Sequence, residues 1–190
     1  FDADESAVSE QALKSALPWH DSWARLVFVD GQHSQSLSSA TAADNALQVS
    51  DLPATFSTDG KLARSLLGQQ ANIEDDGFTA VNTAFIRDGA FVTVADNSSA
   101  VPTLHIVYVT TKRGEAIVTH PRSLVHVGHS SSLTVVESYV GPEGSRYFTN
   151  AVTEIVAQDG ASVEHYRYMK ESPEAFHIGN TKVVLNRDAT

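Results

Sequence analysis

An internal repeat limits what this chain can fold into more than any other feature. When the second half is slid over itself by 30 residues, apolar positions fall on apolar ones and turn positions on turn positions. Val118 meets Phe148 and Ile178, and Val125 meets Ile155 and Leu185. Ser123 meets Thr153 and Val183, and His120 meets Asn150 and Asn180. Thr103 meets Leu133 and Val163, and His105 meets Val135 and His165. A fixed period of this size is the mark of stacked supersecondary units. With two or three short strands per unit, the stack is a β-solenoid in which each coil pairs its backbone with the next, ~4.8 Å away. Val125, Ile155 and Leu185 then form one inner column, each burial contributing ~1.5–3 kcal/mol. A β-sandwich or a cupin-like barrel would also space short strands regularly.

The segments that repeat read as strands. From Phe85 onward Val, Ile, Thr, Tyr and Phe dominate, in runs such as TLHIVYVT, SLVHV, SLTVVESYV and YFTNAVTEIVA separated by Gly, Asn, Asp, Ser or Pro. The preceding residues are mixed. ESAVSEQALKSALP predicts an opening helix with Ala7, Ala12, Leu13, Ala16 and Leu17 at helical spacing and Pro18 as its stop. SWARLVFVDGQ predicts a strand entering a turn at Asp30-Gly31, residues 34–44 a loop, and ALQVSDLP a short strand. DGKLARSLLGQQAN predicts a helix capped near Asp59 and ending near Gly68. The expected organisation is a mainly β protein with an α/β leader over residues 1–84, capping one end of a β-helix core over residues 85–190. The far end at Thr190 has no cap, the chain begins at Phe1, and its one methionine is Met169, so the sequence reads as a truncated piece. An uncapped coil edge predicts self-association.

Charge and composition remove several function classes. Thirteen Lys and Arg against 23 Asp and Glu give a net charge of −10, without a basic run, which disfavours nucleic acid and anionic membrane surfaces. No cysteine is present, so disulfides, thiolate nucleophiles and cysteine-ligated zinc or iron–sulfur clusters are excluded for this chain. No stretch reaches the ~18 apolar residues that span a bilayer.

Candidate chemistry centres on histidines and glutamates. His126 and His129 are three apart on a strand and a turn, which sends them to different faces rather than into a chelate. His105 and His165 share a repeat column but lie two coils apart, too far for one metal. His120 and His177 read as strand or wall residues. Glu137 aligns with Arg167, and Glu154 with Leu124 and Val184, so Glu137, Glu154 and Glu164 do not build a common acidic face and read as solvated or ion-paired. Ser130-Ser131-Ser132 reads as a turn, and Trp19 and Trp23 as anchors for the leader helix. No phosphate-binding glycine loop or Gly-X-Ser-X-Gly elbow occurs. The sequence therefore assigns no catalytic, cofactor-binding or metal residue, and a non-enzymatic chain is expected. The rival from another class is a solenoid carbohydrate-active enzyme or carbohydrate-binding module, which needs clustered outer carboxylates or stacked aromatics. A cupin-like metalloprotein comes third.

Several long collinear segments resemble one family. VNTAFIRDGAFVTVADNSSAVPTLHIVYV is similar to the entry into the core of the SufB/SufD proteins of iron–sulfur cluster assembly. HPRSLVHVGHSSSLTVVESYVG is similar to their His-Pro-Arg coil with its following Val-Glu-X-Tyr, and YFTNAVTEIVAQDGASVEHYRYMKES with AFHIGN continues in the same order. WARLVFVDGQ looks like the SufD leader. The resemblance implies a right-handed parallel β-helix, and a cytoplasmic scaffold that pairs with SufB-like subunits and a SufC-like ATPase and has no cofactor of its own. The absence of cysteine favours the SufD side. The family's ATPase-contacting helices and interface histidine lie beyond Thr190 in this resemblance, so no functional residue is carried over.

Overall fold

A computed structural model describes residues 4–39, 46–58, 60–74, 76–111 and 116–190. A 3-10 turn (Glu5–Ala7) precedes α1 (Glu10–Ala16), β1 (Ala24–Val29), β2 (Gln32–His33) and β3 (Leu47–Asp51). Then come α2 (Leu52–Ser57), α3 (Lys61–Leu66), α4 (Gly77–Phe85) and β4 (Ala90–Val94). The remainder is β5 (Leu104–Val109), β6 (Ile117–Thr119), β7 (Arg122–Val127), β8 (Ser132–Val140), β9 (Tyr147–Ala157), β10 (Ser162–Lys170) and β11 (Phe176–Leu185).

The strands lie in two sheets, ordered β10-β8-β5-β1-β2 and β11-β9-β7-β4-β3, with β6 also paired to β9. Apart from β6 and β7, which both lie against β9, consecutive core strands alternate between the sheets, and every pairing among the strands from β4 onward is parallel. This is a β-solenoid of about three turns. The solenoid follows from strands too short to bury a face alone, joined by turns too short for a crossover helix. Leu26, Phe28, Ile106, Val125, Val135 and Ile155 fill the space between the sheets and are essentially inaccessible. Leader strands join the stack: β1 pairs in parallel with β5, and β3 antiparallel with β4. β1 and β5 are buried on both faces, because Leu13 and Leu17 pack against Val27, Val29, Val107 and Val109 outside the first sheet. Two-sided burial is why their sequences run apolar without alternation.

The repeat holds with a changed register. Its period is 30 where β7 meets β9 (Val125 beside Ile155) and where β8 meets β10 (Leu133 beside Val163). Between β9 and β11 it is 28: Ile155 lies beside Val183, and Leu185 beside Ala157, so the inner column is Val125–Ile155–Val183. The cause is a shorter turn: residues 141–147 link Val140 to Phe148, but only 171–175 link their neighbours Lys170 and Phe176. An even shift keeps every side chain on its face, so Leu185 still points inward, but Phe148 meets Phe176 and Thr153 meets Thr181. Between β5 and β8 the offset is 31, pairing Leu104 with Val135 and His105 with Val136. An odd shift reverses faces, so His105 and His165 share no column.

The leader is more broken than its sequence suggests. Ser9 caps α1 by accepting from Ala12 N at 3.2 Å, which splits the opening helix in two. Asp51 caps α2 with Pro53 in its first turn, a helix not anticipated. The predicted helix near 61 ends at Leu66, and the expected cap at Asp59 lies outside the described residues. α4 was likewise unforeseen; Asp76 caps it, accepting from Phe78 N at 3.0 Å.

Candidate functional site

Alternation along β8 puts Leu133, Val135, Glu137 and Tyr139 inside the solenoid, so a carboxylate is enclosed with the aliphatic core. Glu137 is fully buried. Ser123 Oγ donates to it at 2.5 Å, and Thr153 Oγ1 lies 3.0 Å from both carboxylate oxygens. His165 Nε2 is at 2.9 Å, and Arg167, its ladder neighbour on the next coil, at 3.5 Å. Burial alone would push this carboxyl up, but the His165 and Ser123 hydrogen bonds and the His165 and Arg167 charges outweigh it and hold it below the usual range. Arg167 also donates to Thr181 Oγ1 at 2.7 Å and lies over the Tyr139 ring. Phe28, Tyr108 and Tyr139 stack at 5.1 and 5.2 Å, with His177 edge-on to Tyr139 at 4.6 Å and bonded to Glu171 at 2.7 Å. Burial and the Glu137 charge raise both tyrosine phenols far above their ordinary value. The Glu-X-Tyr pair is therefore an interior polar lock, its buried carboxylate surrounded by donors from Ser123, Thr153, His165 and Arg167.

A second buried carboxylate sits on the outside of the other sheet. Glu154 and Arg122, directly paired and both inaccessible, are covered by the leader. The same carboxylate accepts from Gly68 N (2.9 Å), Gln70 N (3.0 Å) and Ala71 N (3.1 Å). Arg122 also donates to Asn82 Oδ1 and Thr83 Oγ1, at 3.0 and 3.1 Å. Asn82 Nδ2 in turn donates to the carbonyls of Pro121 and Asn150, at 2.8 and 2.7 Å, which pins α4 across two coils. Asn82→Ala is expected to cost about 2–3 kcal/mol, because two buried carbonyls and Arg122 lose a partner together; urea unfolding measures it, and a loss below 0.5 kcal/mol, roughly an ordinary surface effect, would contradict it.

The other residues singled out from sequence are dispersed. Glu164 lies on the exposed outer face, near Thr134. The three glutamates thus face the interior, the leader and solvent, and of the three only Glu164 is solvated. His126 meets Gln158 at 3.0 Å, whereas His129 is exposed at a turn. His120 stacks on Phe85 at 5.6 Å. Ser130 has a left-handed φ of 52°, and Ser131 is buried against the Ala95 carbonyl, as a turn requires. Trp19 and Trp23 hold the buried His105 ring edge-on, at 6.4 and 5.7 Å, with His105 Nε2 2.7 Å from Ser138 Oγ. Among the described residues, no three His, Asp or Glu side chains converge as a metal site.

One arrangement had no sequence signal. His33 Nε2 lies 3.1 Å from Ser38 Oγ, and His33 Nδ1 3.3 Å from Asp51. The order imitates a nucleophilic triad, but the Ser38 hydroxyl donates to the Ser34 carbonyl at 2.6 Å and accepts from Val27 N at 2.9 Å. Its proton is directed away from the histidine, and the group secures the loop after β2.

With this geometry in view, comparison with known proteins is decisive. Residues 10–106 match the family model described as the SufBD protein N-terminal region. Residues 108–190 match that of the SUF system FeS cluster assembly SufBD core domain. The chain belongs to the SufBD family. An iron–sulfur cluster assembly SufBD family protein of Synechocystis sp. is 27% identical over 173 residues, covering 87% of this chain and 38% of that protein. The iron–sulfur cluster assembly protein SufD of Escherichia coli is 25% identical over 168 residues, covering 87% of this chain and 37% of that protein. The chain thus spans under two-fifths of the length of these curated SufBD relatives. The His-Pro-Arg and Val-Glu-X-Tyr segments of this SufBD chain supply Arg122, Glu137 and Tyr139, the residues at the centre of the two locks.

Proposed function

We propose that this chain is the leader and first coils of a SufD-like scaffold. The complete protein pairs with a SufB-like subunit and a SufC-like ATPase to assemble iron–sulfur clusters in the cytoplasm. The observation that carries this reading is the ordered match of the N-terminal and core family models across residues 10–190. The likeness to a relative named SufD and the cysteine-free sequence support the SufD side. A non-catalytic role is supported by the site chemistry. Glu137 and Glu154 are consumed by internal partners, and His105 is sealed under two tryptophans. No helix among the described residues is long and apolar enough to cross a membrane.

The test is affinity isolation of the full-length parent, tagged at its native locus. Stoichiometric recovery of a SufB-like protein and a SufC-like ATPase is the expected result. A folded, well-expressed parent that brings down neither would overturn the reading.

A further inference from the structure

The outer face of the second sheet carries an apolar trough that neither lock uses. α4 runs along the stacking axis: Phe85 lies on His120 at one end, Asn82 bridges the Pro121 and Asn150 carbonyls, and Asp76 and Thr79 meet Asn180 on the last coil. Its buried side is Thr79 and Asn82, which leaves Phe78, Val81 and Phe85 as a stripe at i, i+3 and i+7. Beside it, Val118, Phe148 and Phe176 form a column over three coils, with Phe78 against Phe148 at 6.2 Å. Phe85, Val118 and Phe176 are 64%, 56% and 74% exposed. With ~200 Å² per aromatic ring, the exposed apolar area is on the order of 500 Å², at the upper end for a monomer's largest patch. That is over half of the ~800 Å² per partner of a standard interface.

We infer that this trough is a self-complementary interface, and that its occupant is α4 of a second copy of the chain, packed antiparallel about a twofold axis near Val81. Two features of the patch select that partner. The surface presents both a ridge (Phe78, Val81, Phe85) and a channel (between α4 and the Val118–Phe148–Phe176 column), so each copy offers what the other needs. Antiparallel pairing that sets Phe85 against Phe78 of the second copy also sets Arg87, which has no partner among the described residues, against the acidic start of α4 at Glu74 and Asp76. A parallel arrangement would place Arg87 against Arg87. This surface meets the open coil edge only at Phe176 on β11, and it does not depend on the proposed function.

Sedimentation velocity of the chain across a concentration series at physiological salt tests it. A monomer–dimer equilibrium is expected. Phe85→Glu should weaken it at least tenfold with unchanged circular dichroism, and Tyr166→Lys, on the exposed outer face of the open-edge strand β10, should change it less than twofold. Arg87→Glu should weaken it, and adding Glu74→Arg should restore it. Because the chain has no cysteine, Val81→Cys supplies a second readout. It should form an intermolecular disulfide at least tenfold faster than Leu62→Cys, an exposed apolar position elsewhere. A strict monomer, or a dimer that survives Phe85→Glu but is lost with Tyr166→Lys, would overturn the inference.

Discussion

Replacing Glu154 with alanine is expected to lower the unfolding free energy by about 3–5 kcal/mol, the usual cost of breaking a buried ion pair on one side. The size follows from what is left behind. Arg122 keeps a full charge at zero accessibility, bonded only to Asn82 and Thr83, and the amides of Gly68, Gln70 and Ala71 lose their shared acceptor. The loss falls first on the leader, because those amides tie residues 68–71 to β9. Urea unfolding followed by Trp19 and Trp23 fluorescence gives the free energy, and limited proteolysis should show earlier cleavage in residues 60–74. The double replacement Arg122→Met with Glu154→Leu should recover most of the loss, since removing both charges leaves no uncompensated ion. A single-variant loss below 1 kcal/mol, roughly that of an exposed pair, would mean that the clamp contributes no more than a surface contact.

Acid should weaken the fold well before carboxylates titrate in bulk. Burial between Trp19 and Trp23 lowers the His105 pKa from 6.5 to about 4, with a smaller push from the Arg25 charge. Below pH 6.5 the unfolded chain binds a proton here that the folded chain refuses. Stability is therefore full above that value and falls as the pH drops toward 4, by up to about 3 kcal/mol. Burial lowers His120 and His126 as well, so they contribute in the same direction. Glu137, held below its ordinary value, adds a further loss as acid protonates it. Urea unfolding at intervals from pH 7.5 to 4 measures the slope. His105→Gln keeps a hydrogen-bonding side chain for Ser138 but cannot titrate, so its slope over this window should be visibly shallower. Identical slopes for variant and parent would show that His105 is not the group responsible.

Both effects turn on positions whose fate was unequally legible in the sequence. The 30-residue period sets Glu137 beside Arg167, so that pair is legible in the sequence, but the reading of Glu137 as solvated or ion-paired missed its burial, although it alternates with Leu133 and Val135. Glu154 aligned only with apolar neighbours, because its amide partners come from the leader, some 83–86 residues earlier in the chain, and Arg122 is not its repeat equivalent. Arg122 was visible inside the His-Pro-Arg segment, but nothing local showed that its guanidinium would be buried. Asn82 carried no signal, since a clamp onto two carbonyls leaves no pattern of its own. The triad-like contact of Ser38, His33 and Asp51 was hidden for the same reason.

Period and alternation, both local properties of the chain, determined that coils stack and which side chains enter the interior. They also separated the strand-rich core from a mixed leader. Register was decided by turn length: two residues fewer before β11 moved Leu185 one column along, and one residue more between β5 and β8 turned His105 outward under the leader. The docking of the leader was decided only in three dimensions, where backbone amides and a distant carboxylate meet. Hydrogen bonding between segments far apart in the chain depends on where the folded backbone brings them, and no periodicity in either segment encodes that meeting.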